Sequence, residues 1–400
     1  MSLKGIRIVD LTRIIAGPFC TQLLADQGAE VIKIESSKGD PLRSQGEKVN
    51  GLSWYFTSYN RNKKSVVIDL HLPEGKNILA SLLKSADVLV ENFRPGVLEK
   101  MGFGNKILEE LNANLIVCSI SGFGADGPYA KRPAFDFIAQ ALSGFMSVNG
   151  EADGPPLRSG LPISDMVVGL YGAFAVSSTL AGSTIGKKVG FRRIDISLTD
   201  TMVSLLSFQA ANFFATGISP MRSGNDHQLV SPYGIFETSD GLLAVAPSND
   251  DTYEKLLKAL KLEDLLKDKR INTNKKRMGN RPLVRELIEP TFRSNNSAYW
   301  IAKLNAAGVP AGPILTIPEV FEDPQIQHRE MVIDVDHGAR GSVKMLGFPI
   351  KHSGDAASPR LAAPELGEHS VDVLLNLGFQ ADEIKQLLLK QIIKQYNADV

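Results

Sequence analysis

The chain has 400 residues, and Lys plus Arg balance Asp plus Glu at 44 each, a formal net charge of zero. That balance argues against nucleic acid or an anionic membrane as partner, where a basic excess is expected. Apolar residues at 43% and charged residues at 22% exclude wholesale disorder, and two cysteines, Cys20 and Cys118, exclude both a disulfide framework and a four-thiolate zinc site.

In chain order, Ile6 to Leu11 reads as a strand. A helix follows from Gly17 and is closed by Gly28, with a second strand over Val31 to Glu35. Ser65 to Asp69 is a third strand, and Pro73 opens a helix through Leu83. Asp87 to Val90 and Leu115 to Ser119 are two more strands with a helical segment between them. Such alternation predicts an α/β fold with right-handed crossovers and a mostly parallel sheet covered on both faces. Met166 to Gly186 carries no charge and is long enough to span a bilayer. Its glycines and hydroxyls point instead to a buried helix packed through small residues. Met1 to Gly5 runs straight into an apolar alternation without a secretory signal pattern, so a cytoplasmic protein is expected.

Arg193 to Ser197 is a further strand, followed by a helix from Asp200 to about Ala215. Gly217 to Pro232 is rich in Gly, Ser, Pro and Asn and reads as a connection. Thr238 to Gly241 turns a hairpin between Tyr233–Phe236 and Leu242–Val245. Charged helices are predicted over Asp251 to Lys269, Arg281 to Phe292 and Ser297 to Ala307. An extended stretch covers Glu330 to Pro349, and helices begin near Gly367 and Ala381. The resulting plan is a large domain of residues 1–200 with 345–400, a linker 201–224, a small α+β domain 225–320 and a linker 321–344.

In an open parallel sheet, ligands bind outside the carboxyl ends of the strands. The loops there carry Arg13, Lys38, His71 and Arg94, with helix starts at Gly17 and Pro95. Cations and helix N-termini together suit a polyphosphate ligand. Gly122-x-Gly124-x-x-Gly127 matches the dinucleotide pattern by letter, but Pro128 follows at once and no apolar helix opens there. The six histidines show no metal-ligand spacing, and no Gly-x-Ser-x-Gly occurs. Asp136 and Asp165 each precede an apolar helical run. Each fits a helix N-cap, and the same geometry suits a carboxylate aimed for nucleophilic attack.

Several blocks in fixed order resemble the class III CoA-transferases, the family of formyl-CoA transferase and carnitine CoA-transferase. They include Arg13-Ile14-Ile15-Ala16-Gly17-Pro18, Leu23 to Glu35, Gly39-Asp40, Asn60 to Ser65, Glu91-Asn92-Phe93-Arg94-Pro95-Gly96, Ser119 to Pro128, Asp136 to Gly144, Gly308 to Pro313 and Gly367-Glu368-His369. The likeness runs from residue 3 to about residue 393. It implies a Rossmann-like large domain, a ring-shaped subunit and an interlocked homodimer. It also implies a CoA-transferase that uses CoA thioesters as substrates, with no permanently bound cofactor and no metal. Asp165 would be the catalytic nucleophile, passing through a mixed anhydride and an aspartyl-CoA thioester. CoA contacts would fall on Arg13, Leu70, His71, Asn92, Phe93, Arg94 and Lys100. Formyl-CoA transferase has glutamine at the position of Ile15 and arginine at that of Ser36, and its glycine-run loop is absent around Pro247-Ser248-Asn249. The expected exchange is therefore from succinyl-CoA to a small dicarboxylic acid rather than between formate and oxalate. The family also holds 2-methylacyl-CoA racemases, the alternative activity. They carry a histidine where this chain has Phe135, and phenylalanine cannot move a proton.

Overall fold

The structure, a computed structural model, describes residues 2–184, 190–353 and 361–396. The chain divides into two compact units, one of Met1–Phe145, Arg158–Ala211 and Gln325–Val400, the other of Met146–Leu157 and Asn212–Pro324.

The first unit is built on a sheet of β1 (Arg7–Asp10), β2 (Glu30–Glu35), β3 (Lys63–Ile68), β4 (Val88–Glu91), β5 (Ile116–Ser121), β6 (Arg192–Ser197) and β7 (Ile393–Lys394). Their order across the sheet is β7-β3-β2-β1-β4-β5-β6. Every pairing is parallel except that of β7, which runs antiparallel beside β3. Side chains alternate between faces along each strand. Val9, Ile32, Ile34, Val66, Ile68, Leu89 and Val117 lie in one core layer. Ile8, Val31, Val88, Val90, Ile116 and Cys118 lie in the other. Because both layers are covered, the strands read in the sequence as almost unbroken apolar runs.

Four helices bear on the site: α1 (Ala16–Asp26), α2 (Trp54–Asn60), α3 (Asp136–Leu142) and α4 (Ile163–Thr184). α1 and α4 cover one layer together through Cys20, Leu24, Val168 and Val176. Their backbones approach closely: a Cβ on Gly169 would lie 2.9 Å from the Ala16 carbonyl oxygen, and one on Gly172 would lie 2.9 Å from Cys20 Sγ. By length and composition α4 is apolar enough to cross a membrane. The buried helix expected from the sequence is buried on one face only. Leu170, Tyr171 and Phe174 on the same helix are exposed. Ile185 and Gly186, placed in this helix by the sequence, lie outside the described residues.

In the second unit a hairpin of Gly234–Glu237 and Leu242–Val245 is joined by Ala311–Pro313. Helices Asp250–Leu260, Arg281–Phe292 and Ser297–Ala306 pack on it around Phe236, Leu257, Phe292 and Trp300. The helix expected to reach Lys269 ends at Leu260, because Lys261 turns left-handed at φ 59 and a 3-10 segment Glu263–Lys267 follows. The two connections have structure of their own. Residues 201–224 include helix Ser207–Thr216. Residues 321–344 include helix Pro324–His328 and most of a hairpin of Val332–Asp336 and Ser342–Leu346.

Candidate active site

β1 and β4 are neighbours at the centre of the sheet, yet the chain leaves β1 toward β2 and β3 on one side before returning to β4 on the other. The order β3-β2-β1-β4-β5-β6 makes this the point where winding reverses, and a crevice opens there beyond the strand ends. A cavity of about 340 Å³ in the first unit is lined by both of these loops, Arg13 to Ala16 after β1 and Asn92 to Pro95 after β4. Asp165 and Phe135 line it as well.

Acids fix the loops at this edge. Asp10 at the end of β1 accepts the Thr12 N–H at 2.8 Å, and Glu91 at the end of β4 accepts the Phe93 N–H at 2.9 Å. Just past β3, Asp69 accepts the His71 N–H at 2.9 Å. Such side-chain bonds to the backbone two residues on replace the sheet ladder where the strand stops. Asn92 joins the two loops, accepting the Arg13 N–H at 3.0 Å and donating to the Arg13 carbonyl at 2.9 Å. The Arg13 guanidinium carbon lies 5.8 Å from the centre of the Phe93 ring.

Asp136 and Asp165 differ sharply in their surroundings. Neither is the N-cap of its own helix, the role their positions suggested: both lie inside the first turn. Asp136 Oδ1 instead accepts from the backbone and hydroxyl of Ser164, at 2.9 and 2.8 Å, and so caps α4 from outside. Its Oδ2 accepts from Gln140 Nε2 at 2.7 Å. Asp165 is half-buried, and no group among the described residues donates to its carboxylate. Burial, and then the charge of Asp136, push its carboxyl from an ordinary 3.8 up to about 7. A carboxylate without a donor, in the first turn of a helix that Asp136 caps and α1 packs against, can attack an electrophile in the cavity.

Of the predicted CoA contacts, the cavity brings together Arg13, Asn92, Phe93 and Arg94 with Asp165. Leu70, His71 and Lys100 do not line it, and neither does Lys38. His71 lies beyond β3 and Lys100 ends the short helix Val97–Lys100. Three residues near Asp165 were not singled out from the sequence. Arg132 lines the cavity with its guanidinium stacked 3.6 Å from the Tyr129 ring centre. Tyr55 and Tyr59, four apart on α2, pack with Met166 and Ile15. Burial pushes the Tyr59 hydroxyl up to about 12, with Tyr55 and Asp165 adding to the shift, so it remains a neutral donor. Their spacing is the one signal that put both on a single helix face. Arg13, Arg94 and Arg132 have no carboxylate partner among the described residues. No group of three His, Cys, Asp or Glu among the described residues could hold a metal ion.

The profile of CoA-transferase family III matches residues 3–370. An acyl-CoA transferase from Fusarium pseudograminearum is 39% identical over 395 residues, covering 96% of this chain and 86% of that protein. A succinate–glutarate CoA-transferase from Agrobacterium fabrum is 37% identical over 383 residues, covering 94% of this chain and 95% of that protein. The crystal structure of a CAIB/BAIF family protein from Brucella suis, 39% identical, superposes with a TM-score of 0.82 over 94% of this chain and 98% of that one. With Asp165 held over a cavity at the sheet's switch point, the chain belongs to CoA-transferase family III and is an enzyme that transfers CoA.

Proposed function

We propose that this CoA-transferase moves CoA from succinyl-CoA or a similar acyl-CoA to a second small dicarboxylic acid, with Asp165 as nucleophile. The observation that carries the reading is Asp165 itself, a desolvated carboxylate without a donor that lines the same cavity as three unpaired guanidiniums. CoA lies along Arg13, Asn92, Phe93 and Arg94, and its far end reaches toward Leu70, His71 and Lys100. A dicarboxylic substrate keeps one carboxylate after thioester formation, and a guanidinium such as Arg132 answers it in charge and shape.

An Asp165 oxygen attacks the thioester carbonyl, the C–S bond breaks, and CoA thiolate leaves an acyl-aspartyl anhydride. The thiolate then attacks the Asp165 carbonyl carbon, releasing the donor acid and forming an aspartyl-CoA thioester. The acceptor carboxylate attacks that carbonyl, expels the thiolate and forms a second anhydride. Attack of the thiolate on the acceptor's acyl carbon gives the new thioester and restores Asp165. Each step exchanges one activated acyl bond for another, so that a difficult exchange between two acids is divided into easier steps, which is what covalent catalysis contributes here. The test is to incubate the enzyme with succinyl-CoA and hydroxylamine and to map the adduct by mass spectrometry. A hydroxamate on Asp165 is expected, and turnover without any Asp165 adduct rejects the mechanism.

Phe135 lines the cavity beside Asp136, where the racemase alternative needs a base. Incubating a 2-methylacyl-CoA with the enzyme in D2O should therefore leave its α-proton in place; rapid wash-in of deuterium would restore that alternative.

The same reading makes the protein an interlocked homodimer of the reducing cytoplasm. Free, buried Cys20 and Cys118 support the compartment. Self-association is supported by Phe174 and Phe135, 71% and 72% exposed, and by an apolar groove of about 670 Å³ lined by Leu23, Leu170, Phe174 and Phe348. That groove is larger than the cavity at Asp165, but no charged pair converges on it, so it fits a covered surface rather than a reaction site. Sedimentation at nanomolar concentration should show the dimer; an active 43.4 kDa species would overturn it.

A further inference from the structure

Ile14 stands at φ 70, in the left-handed region. A β-branched side chain is rarely found there, because its Cβ substituents crowd the backbone. The conformation persists only where the surroundings impose it, and the surroundings here are specific. Both Asp40 carboxylate oxygens accept the Ile14 N–H, at 3.2 and 3.3 Å. Asp40 is 3% exposed, and its Oδ2 lies 3.0 Å from Lys33 Nζ. Lys33 is fully buried and also donates to the Thr12 carbonyl at 2.7 Å. Lys33 and Asp40 thus form a bracket that grips the loop at two points, a carbonyl and an amide two residues apart. Between them, Asn92 takes both backbone groups of Arg13. Beyond the bracket, Ile15 and Ala16 line the cavity with Asp165, and α1 begins without a side-chain cap.

We infer that Asp40 is a positioning residue: by holding Ile14 left-handed it sets the backbone of Ile14, Ile15 and Ala16 against Asp165. The inference rests on Asp165 as the nucleophile. Neither Lys33 nor Asp40 lines the cavity. The effect of the bracket passes through the loop, and a loop displaced by about 1 Å reduces turnover while leaving the separately anchored Arg13 in place.

The test is a double-mutant cycle of Asp40→Glu and Ile14→Gly, read as kcat and as KM for the acyl-CoA. Glutamate keeps a charge for Lys33 but displaces the carboxylate from the Ile14 amide. Asp40→Glu alone should lower kcat about 10–100-fold with KM changed less than about threefold. Glycine adopts the left-handed conformation without a steric penalty, so it needs no hold. In the Ile14→Gly background the same Asp40 change should therefore cost several-fold less. A merely structural salt bridge would lose the same factor in both backgrounds, and equal losses, or an unchanged kcat, overturn the inference. Should Asp40→Glu fail to accumulate, Asp40→Ala, which removes the acceptor for the Ile14 N–H altogether, gives the same readout in the same cycle. If wild-type enzyme turns over but forms no Asp165 hydroxamate, the nucleophile reading fails by itself. If the hydroxamate forms and the cycle shows no coupling, only the role of Asp40 falls.

Discussion

Asp165→Ala is expected to lower kcat by at least about 10⁴-fold while CoA binding stays near that of the parent enzyme. On the proposed mechanism the loss falls on kcat because the variant lacks the carboxyl group that carries all three covalent intermediates, whereas Arg13, Asn92 and Arg94 remain. Steady-state kinetics with an equilibrium measurement of CoA affinity checks it, and a variant with substantial turnover would reject Asp165 as nucleophile. The raised carboxyl also sets the pH response. Only the ionised form attacks, so kcat/KM should rise with pH and level off above about 7. Stability runs the other way. The folded-state value of about 7 lies above the ordinary 3.8, so the native protein binds more protons between those limits and loses stability as pH rises through them. Asp165→Asn removes the burdensome charge. Its Tm should match the parent's near pH 4 and exceed it at pH 8. The gain should be on the order of 1–2 kcal/mol once solvent screening at a half-buried group is allowed for. As the proposed nucleophile, Asp165 would be a carboxylate kept at the expense of stability, a common arrangement at active sites.

The second large effect is expected at Gly169. A Cβ there would lie 2.9 Å from the Ala16 carbonyl oxygen and 3.2 Å from the Cys20 nitrogen, both backbone atoms of α1. These cannot swing aside as a side-chain tip would, so Gly169→Val must push α1 and α4 apart. Overpacking of this kind costs about 2–3 kcal/mol, visible as a lower Tm. Activity of the folded fraction should fall too, since α1 begins at the cavity wall and α4 carries Asp165. Gly182 on the same helix is the control. A Cβ there meets nothing within 4 Å, so Gly182→Ala should be neutral or slightly stabilising. Equal melting temperatures for the two variants would show that the close approach of the helices is unimportant.

Much of the large unit was legible in the sequence, because its elements announce themselves through local periodicity. β1 to β6 and α1 appear within a residue or two of their predicted bounds, since period-2 apolar runs and a glycine stop such as Gly28 are local signals. The resemblance blocks likewise pointed to Asp165 and to the loops of Arg13 and Asn92, which share one cavity. Short elements were not legible: hairpin Lys48–Ser53 and edge strand β7 have too few residues for a pattern to repeat.

What the tertiary structure decided is which distant residues meet. Four loops of similar composition follow the strands, but only the order β2-β1-β4 sets those of β1 and β4 side by side, which brings Arg13 and Arg94 to the cavity and leaves Lys38 and His71 outside it. Sequence position made Asp136 and Asp165 equivalent. Their difference arises because Asp136 spends its lone pairs on Ser164 and Gln140, while burial leaves Asp165 without a donor. The left-handed turn at Ile14 had no sequence signal at all, since a β-branched residue argues against it; it exists because Asp40, 26 residues away in the chain, accepts its N–H. Hydrophobic periodicity is a local property of the chain, whereas desolvation and hydrogen-bond partnership are properties of where the chain is folded to lie.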